Sequence, residues 1–218
     1  MEKTFDLFSI AILLSAFMLI SNKRINSYIN TFRIQGIILA MLAGVLGVWN
    51  LVRDHNFEIL IVCLITIAVK VIYIPQLLKT TVQKVGYKVE KDFFLNIPIS
   101  ILICCGLVVL SYTIVGKIDD ITEQSLRVYL ANSIAVVLIG LFFMISRKKA
   151  IGQIIGFLVI ENGLFTAAIL STQGMPMIVE LGIFFDLLTA VLIMGILVFR
   201  INEKFDSIDI DKLKNLRG

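Results

Sequence analysis

Charge is scarce in this sequence: only 17% of its 218 residues are Asp, Glu, Lys or Arg, while 58% are hydrophobic. A soluble domain carries about 25% charged residues to keep its surface wet. That partition is excluded here, and the chain reads as an integral membrane protein. Histidine is nearly absent. The one residue, His55, stands in an "RDHN" loop with no nucleophile pattern near it, and no Gly-rich phosphate loop appears, so catalysis by this chain is not expected. His55 is read as a solvated loop residue. The three cysteines, Cys63, Cys104 and Cys105, fall inside apolar runs without paired metal-ligand spacing and are read as packing residues. No cofactor and no metal are therefore expected in this chain.

What is present is a series of apolar runs of about 20 residues, the length a helix needs to cross roughly 30 Å of hydrocarbon. Seven are read, at Thr4–Ile20, Phe32–Leu51, Phe57–Leu78, Phe93–Val115, Leu126–Ile145, Ala150–Ser171 and Pro176–Phe199. The first begins with acids and lacks a basic leader and a cleavage site, so it is taken as a retained span rather than a signal. The fold class is all-α: a polytopic membrane protein of about seven helices. Fifteen of the 20 Lys and Arg lie in the segments after the first, third and fifth runs and in the tail, against four on the opposite side. By the positive-inside rule the N-terminus is outside and the C-terminus cytoplasmic. The excess of positive charge thus marks topology, and no nucleic acid is expected as a partner.

The chain reads as an N-terminal four-helix part (1–125), a three-helix part (126–200) and a cytoplasmic tail (201–218). Small residues at four-residue spacing, Gly36, Ala40 and Gly44 in one run and Gly152 and Gly156 in another, are expected to let helix backbones approach. Pro75 and Pro98 are placed near helix ends, where a lost backbone hydrogen bond is easiest to accommodate. The tail has weak amphipathic character, and an interfacial and a solvated state are both open.

Four ionisable side chains are read as lying within the spans: Lys70, Glu161, Glu180 and Asp186. A charge at the bilayer centre costs at least about 2.5–3.5 kcal/mol, so such residues face a bundle interior and have a partner or a function. The sixth and seventh runs share a tight turn, which places Glu161 and Asp186 each roughly 15 Å deep. Lys70 lies roughly 13 Å from the opposite boundary. Three titratable groups in one layer suit lateral proton movement better than a pore crossing the membrane. Glu180, roughly 6 Å inside the last run, is equally a helix-end stabiliser or part of the path. The structural alternatives are a hydrogen bond to a neighbouring helix for Glu161 and Asp186. For Lys70 they are an ion pair with another subunit or snorkelling toward the cytoplasm.

The segments "IGFLVIENGLFTAAIL" and "MPMIVELGIFFDLLTAVLIMGILVFRINEKFDSIDIDKLKNLRG", with their "IENG", "VELGIFFDLL" and terminal "LRG" motifs, resemble the E component of formate hydrogenlyase-type, hydrogenase-4-like energy-converting membrane hydrogenases. The resemblance covers nearly the whole chain in length and helix number. More distantly, Arg127 to Gly218 is similar to the K subunit of complex I and the C subunit of multisubunit cation/proton antiporters. That resemblance implies that Glu161 matches the second-helix acid and Asp186 the third-helix acid. Glu161 lies one helical turn beyond the family's position after Ile155-Gly156, and Asp stands in place of Glu on the last helix. Lys70 receives no role from it.

The resemblance implies a noncatalytic subunit of a prokaryotic inner-membrane complex. Its partners would be antiporter-like membrane subunits, a complex I H-like subunit and a peripheral hydrogenase arm holding iron–sulfur clusters and, in many members, a [NiFe] centre. The alternatives are a scaffold in the same complex, an antiporter subunit and an independent carrier. The last is disfavoured by the lack of an inverted repeat. A retinal protein is disfavoured because Lys70 stands in the third span and not the last.

Overall fold

The computed structural model describes residues 2–54, 57–85, 95–118 and 124–172. These form α1 (Glu2–Ser21), α2 (Ile25–Asp54), α3 (Glu58–Thr66), a π-helical segment (Ile67–Tyr73), α4 (Ile74–Val85), α5 (Ile97–Gly116), α6 (Gln124–Ser146) and α7 (Ala150–Thr172). Among the described residues there is no strand, and six helical stretches are long and apolar enough to cross a membrane. The third, Ile59–Gln83, runs unbroken through α3, the π segment and α4. The seventh run, Glu180, Asp186, the tail and His55 lie outside the described residues.

The helices are apolar on both faces, as a lipid-bathed bundle requires. Leu7, Leu64, Leu102 and Ile145 point outward, while Leu39, Leu42, Ile139, Phe143 and Leu158 fill the interior. Inside and outside are therefore separated by size and polarity more than by hydrophobicity. In α5 the buried residues are Ser100, Cys104, Ser111 and Val115, small or polar side chains on one face. α4 is the exception. Ile74, Leu78, Thr81 and Val82 form a buried stripe opposite exposed Gln76, Thr80 and Gln83, the pattern of a helix leaving hydrocarbon for the interface.

α6 and α7 form the most extensively packed pair, with α1 against α6 and α2 bridging α1, α7 and the π segment. The expected role of glycine is visible at Gly156, where an added Cβ would stand 2.8–2.9 Å from the Met144 backbone and Cβ. Only a missing side chain permits that approach. α2 begins at Ile25 and not at Phe32, because Ile25, Tyr28, Ile29 and Phe32 all contribute to the core. Pro98 sits in the first turn of α5, at the helix end where it was expected. Pro75 does not, because the helix continues ten residues beyond it to Val85.

Arg147, one of the basic residues after the fifth run, is not left at the surface. It is buried, stacks over the rings of Phe143 (4.5 Å) and Tyr28 (5.2 Å), and donates from Nη2 to the Ile20 carbonyl at 3.4 Å. Here a cation locks the α1–α2 connection onto the end of α6.

Candidate functional site

Pro75 has no N–H, and its ring crowds the carbonyl four residues earlier, that of Val71. The chain meets this by widening: Ile67–Tyr73 is π-helical, and the Ile74 N–H reaches back five residues to the Val69 carbonyl. π turns of this kind recur at functional sites. Lys70 is the middle residue of the widened turn. Facing it is Gly36 of α2, where an added Cβ would stand 3.4 Å from both the Lys70 Cβ and its carbonyl oxygen. A small residue therefore lets α2 close over the lysine backbone.

The Lys70 side chain projects to α7. Its Nζ donates to Glu161 Oε1 at 2.7 Å and to Asn162 Oδ1 at 3.1 Å, and it lies 5.1 Å from the centre of the Phe165 ring. Lys70 is 1% exposed and Glu161 5%, so this is a buried ion pair. Asn162 Nδ2 in turn donates to Gln35 Oε1 at 3.0 Å, and Gln35 Nε2 to the Ile12 carbonyl of α1 at 3.4 Å. The amide orientation follows from the neighbours, since Asn162 must accept from an ammonium and can only donate to the Gln35 carbonyl oxygen. Thr166 Oγ closes back onto the Asn162 carbonyl at 2.7 Å.

Glu161 is the central residue of the 23-residue α7, and Lys70 stands next to the centre of the Ile59–Gln83 span. Bringing opposite charges into contact at mid-span is what makes either one tolerable there, because an isolated charge would keep its full desolvation cost. The arrangement can also do chemistry. A proton on Nζ faces Oε1 at hydrogen-bond distance, so a single transfer separates the charged pair from a neutral one.

Of the four sequence-predicted residues, the structure brings Lys70 and Glu161 together, while Glu180 and Asp186 lie outside the described residues. Lys70 has its partner within this chain and does not snorkel to the interface. Gln35 and Asn162 were not singled out, although an amide inside an apolar run ("FRIQG", "VIENG") is itself a signal of a buried polar contact. Among the described residues no three His, Cys, Asp or Glu side chains gather to hold a metal. A groove of about 840 Å³ between α2 and the third span is lined by apolar side chains, and neither Lys70 nor Glu161 borders it.

Residues 128–218 match the family described as NADH-ubiquinone/plastoquinone oxidoreductase chain 4L. The chain is 30% identical to the uncharacterized protein Rv0085 of Mycobacterium tuberculosis over 94% of its own length and 92% of that protein. It is 24% identical to hydrogenase-4 component E of Escherichia coli K12, and equally to that of Shigella flexneri, over 68% of this chain and 69% of theirs. No solved structure matches. These similarities lead to one conclusion: the chain belongs to the family of Rv0085, a family of membrane-helix proteins similar over two thirds of this chain to hydrogenase-4 component E and, in its C-terminal part, to chain 4L.

Proposed function

We propose that this protein is a noncatalytic membrane subunit of a complex I-like, redox-driven ion pump, and that its buried charges carry protons laterally between neighbouring subunits. The observation that carries this reading is the Lys70–Glu161 pair, held at mid-span and extended by Asn162 and Gln35 across to α1. Glu161 is the central relay group, Lys70 its counter-charge and Asp186 the next acceptor. Glu180 is a lesser contributor near the end of the last span. The three-helix part from about residue 126 carries the acids, and the N-terminal part supplies the lysine.

On this reading the partners are antiporter-like membrane subunits, a complex I H-like subunit and a peripheral arm of hydrogenase type with iron–sulfur clusters and a [NiFe] centre. The chain sits in a prokaryotic inner membrane with its N-terminus outside. A scaffold role is the second reading, because a buried ion pair also fixes helix register. Glu161→Gln separates the two, since it keeps size and hydrogen bonding but cannot cycle a proton. Measured as protons translocated per electron in membranes holding the assembled complex, pumping should fall while hydrogenase turnover with an artificial acceptor persists. Full pumping in Glu161→Gln and Asp186→Asn would leave only the scaffold.

A further inference from the structure

Lys70 and its partners do not account for all the polar groups buried in the spans. Nearer the end of the bundle where α1 begins, a second group joins α1, α5 and α6. Tyr112 Oη donates to Asn132 Oδ1 at 2.8 Å, Asn132 Nδ2 donates to Ser9 Oγ at 2.9 Å, and Ser9 Oγ donates to the Asp6 carbonyl at 2.9 Å. Asn132 and Ser9 are both buried. The Asp6 side chain takes no part in this clamp. Its Oδ1 is buried and has no hydrogen-bond partner among the described residues, and the same is true of Ser133 Oγ, next to Asn132. Buried polar atoms left unpaired are few in native proteins, and each points to a bound water, an ion or a chemical role.

Placement connects this group to the mid-span pair. Asp6 lies roughly 6 Å from the start of α1, and Ile12, whose carbonyl receives Gln35, roughly 15 Å from it. Ser9 stands about one turn from Asp6 on one side and about one turn from Ile12 on the other, and Ser9 and Ile12 are both buried. Ser9 thus stands between the turn bearing the unpartnered Asp6 Oδ1 and the carbonyl that ends the Lys70–Asn162–Gln35 chain. A second link runs through α6. The Ser133 carbonyl packs so close to Gly163 that a Cβ there would stand 3.0 Å away, beside Asn162 and Glu161.

We propose that Asp6 is a second proton-loading site, continuing the path from the Lys70–Glu161 pair to the end of the bundle where α1 begins; this rests on the proton-carrying reading of that pair. Asp6 gains a proton at Oδ1 and passes it on. Only O–H bonds form and break, and no electrons are exchanged. Tyr112 from α5 and Asn132 from α6 are positioning residues that hold Ser9 and the α1 backbone in place. Tyr129, edge-on to Phe5 at 6.5 Å, packs beside the same stretch of α1. A purely structural clamp uses only the backbone carbonyl of Asp6. The carboxylate is therefore dispensable to it, and Asp6→Asn tests the proposal without dismantling the network.

Proton translocation per electron is measured in membranes holding the assembled complex, with turnover on an artificial acceptor as control. Asp6→Asn should lower translocation at least several-fold at unchanged turnover, and Asp6→Glu should restore most of it. Loss in both Asp6→Asn and Glu161→Gln supports the proposal. Loss in Glu161→Gln alone overturns the Asp6 site and leaves the mid-span pair standing. Full pumping in Glu161→Gln overturns the pair, and with it the path that Asp6 continues. If Asp6→Asn fails to assemble, infrared difference spectra of turnover decide: a carboxyl C=O band that moves in Asp6→Glu supports the site, and an unmoved spectrum overturns it.

Discussion

Replacing Lys70 by Met, Glu161 by Leu, and both together forms a cycle whose outcome follows from the pair's burial. At 2.7 Å the two charges attract by roughly 6 kcal/mol at an effective dielectric of about 20. Removing either ion from water costs several kcal/mol, so the pair as a whole gains little over two apolar side chains. Breaking it is another matter. Each single substitution leaves one charge buried without its counter-ion and should cost about 3–5 kcal/mol. The double substitution removes both charges together, and losing the Lys70 hydrogen bond to Asn162 costs about 1 kcal/mol. The singles together should therefore exceed the double by several kcal/mol. Unfolding in mixed micelles titrated with SDS, followed by circular dichroism, measures all three. A double variant as unstable as the sum of the singles would show that Lys70 and Glu161 do not act as a pair.

Outcomes at four further positions follow from packing. Gly156→Leu should destabilise the α6–α7 contact by about 1–3 kcal/mol in the same assay, because the Met144 backbone occupies the space even of a Cβ. Gly36→Ala should be nearly neutral, its Cβ meeting Lys70 at 3.4 Å, whereas Gly36→Leu should push the π segment away and lower both stability and pumping. Asn162→Leu leaves Gln35 Oε1 without its donor and removes an acceptor from Lys70, for a loss of about 1–3 kcal/mol by SDS titration. Arg147→Lys should lose thermal stability despite keeping the charge, since an ammonium does not reproduce planar stacking on Phe143 and Tyr28.

Run length and charge scarcity carried the all-helical membrane character, because spanning the hydrocarbon demands about 20 apolar residues whatever the packing. Depth was legible for the same reason: counting 1.5 Å per residue places Lys70 and Glu161 at mid-span, where their helices hold them. Helix ends were read less well. Ile25, Tyr28 and Ile29 belong to α2 because they pack, and the helix around Pro75 continues because a π turn absorbs the proline.

Which side chains meet was decided by the fold alone. In lipid every face of a helix is apolar, so periodicity cannot tell inward from outward, and helix rotation is set by packing between segments far apart in sequence. Thus the sequence by itself determined a helical membrane chain with a lysine and an acid at its centre. Tertiary structure decided that Lys70 turns toward Glu161, that Asn162 and Gln35 continue the contact, and that Asp6 is left with a buried, unpartnered oxygen.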